Sequence, residues 1–155
     1  MELHARHCAG VSRLGEEWVP YRAVYASRFC HVVIVDDDAN VREAVCALLA
    51  LGGHRVDEAG NGERAVELAL TRQPDVMLID IGLPGLDGYE VARRIRGARL
   101  RRPPFLVALT GYGRAEDRRR ARDAGFDEYL VKPADAEEID RVVAAARFRD
   151  LERSR

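Results

Sequence analysis

From His31 onward, five short apolar runs alternate with five stretches of helical spacing, and few folds can satisfy that alternation. "HVVIVD", "DVMLID" and "FLVALT" are continuous aliphatic runs, as expected of strands buried on both faces. "RVDEA" is a weaker second strand and "EYLV" a short fifth one. Between them, "DANVREAVCALLALGGH" sets Val41, Val45, Leu48 and Leu49 at helical spacing and stops at Gly52 and Gly53. "NGERAVELALTRQP" opens at Asn61 and closes before Pro74. The turn-rich "IGLPGLDG" leads into "YEVARRIRGA", and "GRAEDRRRARDAG" ends at Gly125. "DAEEIDRVVAAARF" puts Ile139, Val142, Val143 and Ala146 on one face. Strands alternating with helices at short spacing predict a parallel sheet covered on both sides, wound through right-handed crossovers. The expectation is an α/β protein with a doubly wound, five-stranded parallel sheet in the order 2-1-3-4-5, counted from His31.

Residues 1–30 read differently. "MELHARHCAGVSRLGEEWVPYRAVYASRFC" has no sustained period of 2 or 3.6, and it reads as an N-terminal extension, mobile or appended. "HARHC" groups two histidines and a cysteine, but a zinc site closes with a second ligand pair, and only Cys30 and His31 are on offer. The globular domain is expected over 31–150, with 151–155 as a C-terminal tail. A formal net charge of -1 gives no global case for nucleic acid or anionic membrane as partner. The apolar runs fall short of a membrane span, and no secretory signal is evident. Three cysteines, with Cys46 inside an apolar helix, suit a reduced, cytoplasmic protein.

In open sheets of this kind, ligands bind beyond the carboxyl ends of the strands, where the winding reverses. Strand one ends in Asp36, Asp37 and Asp38, strand three in Asp80, strand four in Thr110 and strand five in Lys132. Each alone has a dull explanation: acids cap helices, threonine suits strands, lysine solvates. Together, on consecutive neighbours of the expected sheet, they converge. Several carboxylates within a few ångströms repel unless cations compensate. Lys132 supplies one positive charge, and the remaining deficit suits Mg2+, which takes carboxylates, waters and phosphate oxygens. A carboxylate can attack phosphorus to give an acyl phosphate, while the Lys132 ammonium and the Thr110 hydroxyl hold phosphoryl oxygens. Of 25 lysines and arginines, Lys132 is the single lysine. A slim ammonium can approach one phosphoryl oxygen beside a metal where a planar guanidinium would be crowded.

"VDDD" after strand one, "LIDIGLPGLDG" around Asp80, "ALTG" at Thr110 and "YLVKP" at Lys132 resemble, in that order, the receiver domain of two-component response regulators. "DIGLPGLDGYEVARRIR" and "VALTGYGRAEDRRRARDAGFDEYLVKP" are most similar to receivers attached to hybrid sensor kinases. The resemblance implies a flavodoxin-like fold and Mg2+-dependent transfer of a phosphoryl group to Asp80. The donor would be a histidine kinase or a histidine phosphotransfer protein. It implies Asp36, Asp37, Asp80 and the backbone carbonyl of Gly82 as metal ligands, Lys132 and Thr110 as catalytic groups, and Thr110 with Tyr129 as the switch. Lys132–Pro133 would carry a cis peptide, and Asp38 would begin the first helix. A downstream protein would read the face of the fourth helix, fifth strand and fifth helix, with no direct nucleic-acid or membrane contact. In such domains the residues two beyond the acceptor and two beyond the threonine, here Gly82 and Tyr112, influence hydrolysis. Glycine cannot orient a water and Tyr112 can shield the site, so a long-lived phosphorylated state is expected. The initial methionine and the charged "LERSR" ending lean toward a free-standing regulator.

The rival reading is a haloacid-dehalogenase-like phosphatase with Asp36 as nucleophile and Asp38 as general acid, which leaves Asp80 and "LPGLDG" idle. Arginine-rich stretches such as "ARRIRGARLRRP" carry no nucleic-acid motif, and the acids within "GRAEDRRRAR" mark a solvated face. They can instead help define a docking face for a protein. The chain has no P-loop, GxGxxG or kinase-type ATP domain, so it is expected to catalyse only its own phosphorylation and dephosphorylation.

Overall fold

A computed structural model of the chain describes residues 11–14, 17–20 and 29–153. Strands β1 (Val11–Leu14) and β2 (Glu17–Pro20) pair antiparallel, Val11 opposite Pro20 and Leu14 opposite Glu17. The extension therefore holds regular structure where no period was legible. Four-residue strands are too short for alternation to show.

The main sheet contains β3 (His31–Val35), β4 (Arg55–Ala59), β5 (Val76–Asp80), β6 (Phe105–Thr110) and β7 (Glu128–Val131). They run parallel in the order β4-β3-β5-β6-β7, which is the expected 2-1-3-4-5. The connecting helices are α1 (Ala39–Leu51), α2 (Gly62–Arg72), α3 (Gly88–Gly97), α4 (Ala115–Ala124) and α5 (Ala136–Arg153).

Side chains alternate across the strands and so build two cores. Val33, Val35, Met77, Ile79, Leu106 and Ala108 face α2, α3 and α4, meeting Leu68, Val91, Ile95 and Ala121. Val32, Ile34, Val76, Leu78, Val107 and Leu109 face the other way, toward Leu49 of α1 and Ile139, Val142, Val143 and Ala146 of α5. Each of the twelve strand residues is at most 3% exposed, which explains why the strands read as unbroken apolar runs.

Helix starts match local chemistry. The side chains of Asp38, Asn61 and Asp87 accept backbone N–H groups at the openings of α1, α2 and α3. Helix α4 ends at Gly125, whose φ of 106° belongs to the left-handed region. Helix α5 runs through Arg153, past the boundary drawn at residue 150. "RFRDLER" contains no glycine or proline to stop it, and its residues sustain a helix.

Candidate functional site

Register aligns the strand ends. Val35 pairs with Ile79, Asp80 with Leu109 and Thr110 with Val131, so Asp36, Asp80, Thr110 and Lys132 stand around one edge of the sheet. Two backbone bonds just beyond the strands hold that edge: Ile81 N–H to Leu109 carbonyl (2.9 Å) and Lys132 N–H to Thr110 carbonyl (2.7 Å). The Lys132–Pro133 peptide is cis.

Asp36 is 1% exposed, and all its polar groups are engaged. Its N–H donates to Ala59 carbonyl at 3.2 Å, and its carbonyl accepts Arg42 Nη1 at 2.8 Å. Its Oδ1 accepts the Asp38 N–H at 2.9 Å and its Oδ2 accepts Lys132 Nζ at 2.5 Å. Asp80 is also largely buried, though at 9% it is more open than Asp36: Oδ1 accepts the Gly82 N–H at 2.9 Å and Oδ2 lies 3.2 Å from Lys132 Nζ. Asp37 is exposed, and Asp36, Asp37 and Asp80 each place a carboxylate oxygen within 4.8 Å of the others. Partial burial pulls the Lys132 ammonium toward neutrality, but hydrogen bonds to Asp36 and Asp80 and their negative charges outweigh it. Its pKa therefore lies above that of a free lysine. Three carboxylates against one ammonium leave the hollow negative, and oxygen donors in that arrangement suit a hard divalent cation.

Thr110 is buried, with its hydroxyl turned into its own loop: Oγ1 donates to the Tyr112 carbonyl and accepts the Tyr112 N–H, both at 3.1 Å. Tyr129, half-buried against the core, gives its hydroxyl to α4, where Oη accepts Arg118 Nε at 2.6 Å. Tyr112 presents its ring to solvent, 70% exposed, and covers little.

The response regulator receiver domain model matches residues 32–144. The chain belongs to this family. Receivers are the phosphoacceptor modules of two-component response regulators, and the fold class and strand order expected from the sequence are those of the family. The DNA-binding dual master transcriptional regulator RpaA of Synechocystis is 35% identical over 108 residues, covering 70% of this chain and 45% of that protein. The chain thus spans about half the length of the curated relatives it matches. The receiver domain of sensor histidine kinase PA1611 from Pseudomonas aeruginosa, with magnesium coordinated in its active site cleft, is 30% identical. It superposes with a TM-score of 0.70 over 77% of this chain and 98% of that one. The receiver domain of Saccharomyces cerevisiae Ssk1, crystallised with the histidine phosphotransfer protein Ypd1, is 27% identical with a TM-score of 0.68, covering 74% and 86%.

Of the residues singled out in the sequence of this receiver, Asp36, Asp37, Asp80 and Lys132 gather in one hollow, and Gly82 adjoins Asp80. Thr110 stands on the neighbouring strand end. Asp38 caps α1, with Oδ1 accepting the Asn40 N–H at 2.9 Å, so it is not aimed into the hollow as a general acid. Asp36 is buried and fully bonded, which disfavours it as a nucleophile. Sequence reasoning missed Arg42 and Arg118. Arg42 bonds the Asp36 carbonyl, while its buried Nε has no partner among the described residues. In a chain with so many arginines, neither residue type nor spacing marks these two. Among the described residues, no helix is long and apolar enough to cross a membrane.

Proposed function

We propose that this receiver accepts a phosphoryl group from the phosphohistidine of a kinase or phosphotransfer protein onto Asp80. The observation that carries the reading is the Lys132 ammonium between Asp36 and Asp80, with Asp37 within cation-sharing distance. The Asp80 carboxylate is the accessible member of the buried pair. An Asp80 oxygen bonds to phosphorus as the phosphorus–nitrogen bond of the donor imidazole breaks, leaving the imidazole to take a proton.

The carboxylates of Asp36, Asp37 and Asp80, with the backbone carbonyl of Gly82, would hold Mg2+. The ion would neutralise charge on the incoming phosphoryl oxygens. Lys132 contributes a second positive charge at the same place, and the Thr110 hydroxyl leaves Tyr112 to bond the phosphoryl group. Phosphorylation adds about -1.5 to -2 charges. The Thr110 turn and an inward move of Tyr129 carry that change to α4, β7 and α5, where a protein partner reads it. The crystallised pair of Ypd1 and the Ssk1 receiver supports a phosphotransfer protein as one class of donor. The receiver also resolves its own acyl phosphate, slowly. A side chain at position 82 would begin 3.5 Å from Asp80 Oδ1, and glycine offers none to orient water there.

Intact mass after incubation with acetyl phosphate and Mg2+ tests the proposal. One phosphoryl group should add to the protein and none to Asp80→Asn. Equal labelling of the variant, or a phosphoprotein lasting only seconds, would contradict the acceptor and the lifetime respectively.

A further inference from the structure

Helix α4 has little apolar anchorage. It buries only Ala121 and Ala124, whereas α3 buries Tyr89, Val91, Ala92 and Ile95 among others. Two methyl-sized side chains remove little apolar surface from water. Arginines hold its two flanks instead. Arg120 stacks 4.7 Å over the ring of Tyr89 on α3, and Arg118 stacks 4.5 Å over the ring of Tyr129 on β7. Arg118 also donates its Nε to the Tyr129 hydroxyl at 2.6 Å. Cation over ring and donor to hydroxyl come from one side chain, so two separate attractions fix the same tyrosine.

We infer that Arg118 is a positioning residue that keeps Tyr129 in its resting place and thereby limits how readily the receiver takes up a phosphoryl group. This rests on the phosphoacceptor reading above. The Thr110 hydroxyl is bonded at both its donor and its acceptor to Tyr112 in its own loop. The same loop passes Tyr129: a Cβ on Gly113 would lie 3.8 Å from Tyr129 Oη and 3.2 Å from Val131. A turn of Thr110 toward Asp80 gives up both bonds to Tyr112 and disturbs this loop, but Tyr129 cannot follow inward while Arg118 holds its hydroxyl. An interaction present only in the resting state shifts the population toward that state. By linkage, it weakens everything that binds the switched state. An arginine serving only as a solvated face or a general positive field would behave oppositely, because its removal would leave anion binding unchanged or weaker.

The sign of the effect is therefore the test. Beryllofluoride with Mg2+ stands in for the phosphoryl group on a carboxylate, and bound fluoride can be followed by fluorine NMR in titrations of the full chain. Arg118→Ala should bind it about tenfold more tightly than the wild type. Arg118→Lys, which keeps a cation but loses the planar fork, should fall between them. Arg119→Ala, one residue along the same exposed helix, should match the wild type. Tyr129→Phe should tighten binding by part of the same factor, and Arg118→Ala should then add less on top of it. Melting curves run alongside; should Arg118→Ala fail to fold, Arg118→Lys and Tyr129→Phe carry the comparison. Binding in the Arg118 variants equal to or weaker than the wild type overturns the inference. No binding by the wild type overturns the phosphoacceptor reading itself, and this inference with it.

Discussion

The Lys132 ammonium lies nearer to Asp36 Oδ2, at 2.5 Å, than to Asp80 Oδ2, at 3.2 Å. The lysine thus chiefly neutralises a buried carboxylate, and under the proposed function the same charge would serve a phosphoryl group on Asp80. One compact donor reaches both acids, whereas a guanidinium spreads its donors over a plane. This accounts for the lone lysine in a chain otherwise committed to arginine. Lys132→Arg should keep stability within about 1 kcal/mol, because the charge persists. Its phosphoryl uptake should fall by about tenfold or more, since the fork crowds the hollow. Lys132→Ala should also destabilise by about 1–3 kcal/mol. Asp36, at 1% exposure, would lose its ammonium partner, although the 28% exposure of the lysine side chain shows that water already screens the pair. Urea unfolding and intact-mass labelling of the two variants measure the two effects separately.

The excess of negative charge in the hollow costs stability as long as no cation relieves it. Asp80→Asn removes one charge but keeps an oxygen that can accept the Gly82 N–H. Without divalent ions the variant should be more stable than the wild type by about 1 kcal/mol. Mg2+ should stabilise the wild type, by about 2.7 kcal/mol at a hundred times its dissociation constant, and stabilise the variant less. Melting temperatures in EDTA and in Mg2+ give all four numbers. A variant less stable than wild type in EDTA would mean that repulsion among these acids is negligible.

Asp80 is also held from beneath by backbone packing. A Cβ on Gly88 would fall 2.5 Å from the Asp80 carbonyl and 2.7 Å from Ile81 Cα, so α3 can approach the strand end only as glycine. Gly88→Ala should cost about 2 kcal/mol or more and reduce labelling of Asp80, because backbone must shift to admit the methyl group. Gly97, at the other end of α3, has nothing within 4 Å of its Cβ position. There, Gly97→Ala should be neutral or stabilising by up to about 1 kcal/mol. Denaturant titrations of the pair contrast a glycine needed for close approach with one that is dispensable.

The residues that were legible in the sequence are those whose chemistry depends on type and order along the chain. Continuous apolar runs marked β3, β5 and β6 because both faces of each are covered. Strand-end positions marked Asp36, Asp80, Thr110 and Lys132 because parallel strands bring their carboxyl ends to one edge. Arg42 and Arg118 stayed hidden for the opposite reason. Their partners are a backbone carbonyl and a tyrosine ring, reached from helix positions that look like any solvated arginine. The pairing of β1 with β2 and the continuation of α5 through Arg153 escaped for want of length in one case and of a stop signal in the other.

His54, at the far end of the domain from the acids, gives the fold a pH dependence of its own. Its Nδ1 accepts the backbone N–H of Cys30 at 3.1 Å, a bond that only the neutral ring with a bare Nδ1 can make. Burial pushes the pKa of His54 below its ordinary value, with Asp140 opposing and Arg147 assisting. In the unfolded chain the ring takes its proton near pH 6.5. The folded state resists protonation, so this contribution is fully present above about pH 6.5 and disappears as pH falls through the lower folded value. It amounts to about 0.5–1 kcal/mol, the size of one hydrogen bond to a partly solvated group. His54→Asn keeps an oxygen acceptor for Cys30 and cannot titrate. The unfolding free energy of the wild type should therefore drop relative to the variant between about pH 7 and pH 5. Paired denaturant titrations across that range would show parallel curves if the imidazole contributed nothing.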